Sequence, residues 1–316
     1  MNLDKYDKSF GVMFHHFHNE NHPKGQGAIA GEEFEDIIIW LKNNFQIVTP
    51  EEYTLKHKQK KLSKREICLT FDDSLLCQFD IAFPILENHG LKAFFNVYSS
   101  AFSGNPDPLE VYRYFRTVAF GNIEEFYETF FLLIKMEYPK IYKQGQSEFS
   151  LKLKYMSEYP FYSPSDKLFR FFRDEHLGRK RYYALMDQLL DESNFDRALI
   201  PGKVFMSTSN LITLQEHGHK VGLHSDTHPT NIASLSKSDQ EIEYQANYDF
   251  LVQNLDCIPD SMAHPCGKYD SRTLDILESM GVQIGFVSNM VPREVQSKFC
   301  VPREDHMTIL GMTRAE

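Results

Sequence analysis

The chain has 316 residues, of which 42% are hydrophobic and 25% charged, enough to bury an ordinary core and too apolar for a disordered chain. Its 34 basic and 44 acidic residues leave a net charge of −10, which disfavours a general nucleic-acid binder or a protein held on anionic membranes by basic charge. No apolar run is long enough for a transmembrane segment, the N-terminal stretch lacks the apolar core of a secretory signal, and five scattered cysteines without a CxxC pair read as reduced thiols. Together these predict a cytoplasmic protein.

The first hundred residues alternate strand and helix signals. Ser9–Phe14 (SFGVMF) predicts a short buried strand. Glu32–Asn44 places Phe34, Ile37, Ile38 and Leu41 on one helical face. FQIVT at 45–49 predicts a strand ended by Pro50, and the basic stretch 55–66 a solvated loop or helix face. ICLTF at 67–71 is an apolar strand running into Asp72 and Asp73. A helix through Ile81, Ile85 and Leu86 stops at His89-Gly90, where glycine suits the left-handed cap. KAFFNV at 92–97 is the next strand.

The rhythm breaks at 105–200, which holds 21 of the 43 aromatic residues. So many rings must be buried, which predicts a mainly helical insertion with its own core. A substrate wall, or a homo-oligomer formed through the insertion, is the alternative use of these rings. After 200 the alternation resumes. A helix capped at Ser207, Thr208 or Ser209 runs to Glu216 and ends at Gly218. HKVGL (219–223) follows as a strand, then a polar helix over 237–255, a strand DSMA (260–263), a helix Ser271–Met280 closed by Gly281, and a strand VQIGFV (282–287). Repeated β–α units predict a parallel sheet closed or partly closed as a barrel, residues 1–104 and 201–316, interrupted by the insertion 105–200.

In such barrels the reactive groups lie where strands end. That rule selects Asp72 and Asp73 after ICLTF, His224 and His228 after HKVGL, His264 and Cys266 after DSMA, and His15 and His16 after SFGVMF. His224 and His228, four apart, can reach one ion. Ser225 stands where a zincin needs Glu, so that pattern fails. A carboxylate from another strand would complete a two-His, one-carboxylate site suited to Zn²⁺ or Fe²⁺. His18 and His22 are also four apart, which leaves a separate N-terminal site as an alternative.

ICLTFDDS resembles the TFDDG motif, and GHKVGLHSDTHP the H(S/T)xxH motif, of the polysaccharide deacetylases (NodB homology, carbohydrate esterase family 4). HPCGKYD is similar to their third motif and VMFHHF to a strand end near the start of many members. The resemblance covers 1–104 and 201–290. It implies a distorted (β/α)7 barrel with a large mainly helical insertion, and removal of an acetyl group from an N-acetylated sugar. By position it implies Asp72 as general base, and Asp73, His224 and His228 as ligands of a divalent metal, zinc being the first choice. The backbone N–H of Cys266 would hold the oxyanion, with His264 and His16 beside the substrate. Ser74 stands where the motif has Gly. Ala263 stands where the family has the Arg that holds the base, which leaves Arg303 or His264 for that task. The late Leu-x-His motif has no clean match, so His306 or His15 would act as general acid. The expected substrate is a small-molecule sugar or glycan precursor of a surface polysaccharide, nucleotide- or lipid-linked. A deformylase or other amide or imide hydrolase, or a metal-containing sugar-binding protein without turnover, is the alternative.

Overall fold

In a computed structural model, which describes residues 6–104, 106–157, 162–193, 195–255, 257–291 and 297–315, the run Phe10–Phe14 (β1) is a strand with all five residues buried. Among the described residues seven strands follow: β2 (Gln46–Ile47), β3 (Glu66–Asp72), β4 (Phe94–Val97), β5 (Lys220–Leu223), β6 (Ser261–Ala263), β7 (Ile284–Phe286) and β8 (Arg303–Asp305). They pair in parallel in the order β7-β6-β5-β4-β3-β1-β8, with β2 beside the start of β3. Parallel strands are covered on both faces, which is why these segments read as continuous apolar runs. Val301 bridges to Phe286 and β8 pairs with Gly11–Met13, so residues 301–305 tie β7 back to β1. The expected β/α barrel is formed and nearly closed.

The chain divides into two compact units. One comprises Met1–His22, Ala28–Asp107 and Gly202–Glu316, and holds the barrel. Its phenylalanines stack across neighbouring strands, Phe14 on Phe71 at 5.1 Å and Phe71 on Phe95 at 4.6 Å between ring centres. At Gly222 a Cβ would lie 2.6 Å from Ser261 Oγ and 2.7 Å from Ser261 O, so the close approach of β5 and β6 requires glycine there. In the other unit, Pro23–Gly27 with Pro108–Pro201, five longer helices among the described residues pack around Tyr112, Phe115, Phe126, Phe130, Phe169 and Tyr182, all buried. Its aromatic surplus therefore fills a private core. Among the described residues no helix is long and apolar enough to cross a membrane.

Several local expectations are corrected. Of FQIVT only Gln46–Ile47 is strand, because Thr49 caps a helix, Pro50–Lys58, that takes in the start of the basic stretch. Pro50 at its first position needs no N–H partner and favours that start. The helix after β3 begins as a π-turn, Gln78–Ala82, before Phe83–Asn88. The strand β8 and the helix His306–Thr313 were not anticipated.

At the N-terminal ends of β4 and β5, Glu87 gathers Lys92, His217 and His219. Burial, opposed by the bond to Glu87, lowers the His219 pKa from 6.5 to about 4. Burial works against ionisation of Glu87, but Lys92, His217 and His219 bring its pKa from 4.5 down to about 2. On acidification the unfolded chain takes up protons at both groups before the folded one does, which favours unfolding. Melting temperature is therefore expected to fall from pH 6.5 towards 4 through His219, and from about 4.5 towards 2 through Glu87. A pH series on His219→Gln should lack the upper part of this decline. An identical decline in the variant would remove His219 from the account.

Candidate active site

Asp72 is the last residue of β3, and Asp73 and Ser74 follow with φ of +78° and +59°. Left-handed backbone at non-glycine residues is costly and persists where surroundings impose it. Here Ser74 Oγ accepts from Tyr98 N at 3.1 Å and Ser74 O accepts from Met206 N at 2.9 Å. Ser74 thus supplies by hydrogen bonding what the motif's Gly supplies by its freedom. Ser225, His228 and Cys266 also lie at positive φ, so strained backbone collects at the strand ends.

The Asp72 carboxylate is buried and gripped by Arg303. Nη2 lies 2.7 Å from Oδ2, and Nη1 donates to Oδ1 at 2.9 Å. Asn96 Nδ2 donates to the same Oδ1 at 2.9 Å. Burial raises the Asp72 pKa, but Arg303 and the nearby imidazoles outweigh it and hold the group at about 2. Arg303 is itself 1% exposed and is fixed by Val287 O and Thr70 Oγ1. Of the two partners expected in place of the family's Arg, the structure selects Arg303. His264 instead places Nε2 2.9 Å from Phe299 O and stacks its ring on Tyr269.

Asp73 Oδ1 lies 3.3 Å from His224 Nε2 and 3.2 Å from His228 Nε2, yet it accepts no hydrogen bond. Nδ1 of His224 faces Ala263 O at 2.8 Å. A carbonyl can only accept, so Nδ1 carries the proton and Nε2 turns its lone pair towards Asp73. A carboxylate oxygen facing two imidazole nitrogens is a donor set that could hold a divalent transition metal. Among the described residues this is the one group of three or more such side chains whose ligand atoms converge, within 4.8 Å of one another. Among the described residues the N-terminal histidines form no such group, and His22 is paired with Asp80 at 2.8 Å.

His15 reaches the same place from β1. Its Nε2 is 3.8 Å from both Asp72 Oδ2 and Asp73 Oδ2, and its side chain is 26% exposed. Burial lowers its pKa while Asp73 and Asp72 pull it up. His16 stacks beside it, with ring centres 6.2 Å apart. His306 follows β8 directly, buried, with Nδ1 3.2 Å from Met13 O and its ring on Phe14. Cys266 sits exposed in the turn after β6. Gln78, which bonds Asp72 O and His15 O through Nε2, is a support that sequence reading missed, as is Asn96. A polar residue inside the apolar run KAFFNV was the available signal for Asn96.

Residues 186–285 match the sequence profile of the family described as polysaccharide deacetylase. That segment holds His224, His228, His264 and Cys266, while Asp72 and Asp73 lie outside it. The putative polysaccharide deacetylase YxkH of Bacillus subtilis is 33% identical over 84 residues, 26% of this chain and 29% of that protein, so the match spans under a third of the relative's length. Among solved structures, a de-N-acetylase from Aggregatibacter actinomycetemcomitans is similar with a TM-score of 0.56 at 12% identity, over 97% of this chain and 100% of that one. The deacetylase PplD of Streptococcus pyogenes, solved with acetate, is similar with a TM-score of 0.51 at 16% identity, over 89% of this chain and 84% of that one. Identities this low speak for the shared barrel alone. The matched segment and the motifs at the strand ends make this chain similar to the NodB-type polysaccharide deacetylases.

Proposed function

We propose that this protein is a metal-dependent hydrolase that removes the N-acetyl group of a sugar. The observation that carries the reading is the buried meeting of Asp73 Oδ1 with His224 Nε2 and His228 Nε2, next to a second carboxylate, Asp72, kept ionised by Arg303. Those three atoms would hold a divalent cation, with zinc the preferred ion, which when bound polarises an amide carbonyl and lowers the pKa of water. Asp72 accepts a proton from the attacking water. Its tight pairing keeps it charged and aimed, so that it stays available at neutral pH. The backbone N–H of Cys266 donates to the carbonyl oxygen as negative charge builds there. His15 Nε2 delivers a proton to the departing nitrogen, a role supported by its partial exposure and its place between the two carboxylates. His306, with Nδ1 3.2 Å from Met13 O, is the alternative donor, and His16 borders the substrate. His264 braces the turn that carries Cys266.

The substrate we propose is a nucleotide- or lipid-linked N-acetyl sugar destined for a surface polysaccharide and handled in the cytoplasm. Purified protein supplied with Zn²⁺, Co²⁺ or Fe²⁺ is expected to release acetate from such a sugar. Release of formate from the N-formyl analogue alone would redirect the reading to a deformylase. No acyl release from any of them would overturn it.

A further inference from the structure

Both histidines of the proposed metal site belong to one turn, residues 224–228, and the helix that follows it grips that turn at several points. We propose that Glu243 and Asn247, on the helix Lys237–Leu255, are positioning residues that preset His224 and His228 for a divalent cation. The inference rests on the metal-site reading above and concerns how its ligands are held.

The turn is strained, with Ser225 at φ +65° and His228 at φ +49°. Such a conformation is kept where surrounding groups over-determine it. Glu243 Oε2 accepts from Asp226 N at 3.1 Å and Thr227 N at 2.8 Å, and Oε1 accepts the Thr227 hydroxyl. Asn247 lies four residues on, hence on the same helix face. Its Oδ1 accepts from His224 N at 2.9 Å and its Nδ2 donates to Val97 O at 3.0 Å, which ties the turn to the end of β4. From the far side Ser99 Oγ donates to Asp226 Oδ1 at 2.7 Å, and Ser100 N to Asp226 O at 3.0 Å. Within the turn His228 N donates to Ser225 Oγ at 3.2 Å. The backbone between the two imidazoles is thus pinned on both sides, and the separation of their Nε2 atoms follows from it. Without the Glu243 carboxylate, two N–H groups of the strained turn lose this acceptor and the rings lose their fixed spacing.

The test is zinc affinity of the full chain, measured by competition with a chromophoric chelator, together with the visible spectrum of the Co²⁺-loaded protein. Glu243→Ala is expected to weaken zinc binding about 10- to 100-fold and to alter the cobalt spectrum, with the apo protein still folded. Glu243→Gln is expected to stay within a few-fold of wild type. Its amide oxygen can accept both N–H groups, and its NH₂ can donate to the Thr227 hydroxyl. Wild-type affinity in Glu243→Ala would overturn the proposal. So would an equal loss in the Gln variant, because charge rather than hydrogen bonding would then be responsible. If Glu243→Ala fails to fold, Thr227→Val is expected to weaken zinc binding several-fold with rescue by Thr227→Ser, and unchanged affinity there would overturn the proposal. His224→Ala separates the two readings. If it binds zinc like wild type, the metal site itself is wrong.

Discussion

Arg303→Met is expected to destabilise the protein by about 3–5 kcal/mol and to lower acetate release by ~10²-fold through misplacement of the base. Both partners of the Arg303–Asp72 pair are fully buried, and Arg303 meets both carboxylate oxygens. Removing the cation leaves an anion in a dry site with Asn96 Nδ2 as its remaining described donor. The carboxylate then protonates or turns, and either change removes it from its task. Lysine is a poor substitute, since one ammonium cannot reproduce a planar fork that also reaches Val287 O and Thr70 Oγ1. Urea unfolding of Arg303→Met, alone and combined with Asp72→Asn, checks the claim. The double variant should recover part of the lost stability, because the uncompensated charge is gone. Wild-type stability in the single variant would remove Arg303 as the anchor of Asp72.

Asp72→Asn is expected to lower acetate release by about 10²- to 10⁴-fold while leaving zinc affinity within a few-fold of wild type. Asp72 and Asp73 are neighbours in sequence but face different partners. Asp72 is bonded to Arg303 and Asn96, whereas Asp73 Oδ1 faces the two imidazoles. An amide at position 72 can still accept from Arg303 but cannot take a proton from water. The same change at Asp73 is expected to reduce zinc binding first and activity as a consequence. Kinetics together with metal titration on both variants distinguish the roles. Equal effects of the two substitutions on zinc affinity would merge them.

The barrel was legible in the sequence because parallel strands buried on both faces write themselves as apolar runs, and because glycines mark where helices stop. Gly218 and Gly281, at φ +81° and +79°, end their helices where expected. β8 was not legible. Its residues, Arg303, Glu304 and Asp305, are charged and carry no strand signal, and Arg303 is buried because it meets Asp72 from a distant part of the chain. Long-range charge pairing of this kind leaves no local pattern. Glu243 and Asn247 were hidden for a related reason. On a helix of polar sequence a turn-facing carboxylate cannot be told from a solvated one. The residues of the candidate site that sequence reading did pick out were those at predicted strand ends, where topology narrows the choice, and Arg303 and His306, which the family resemblance brought forward.

The most direct test of the metal centre is elemental analysis of purified protein after exposure to zinc and removal of the excess, on wild type and on Asp73→Ala, His224→Ala and His228→Ala. One zinc per wild-type chain, lost from each variant, is the predicted result. A wild-type chain that takes up no zinc, or three variants that keep it as wild type does, would contradict the account.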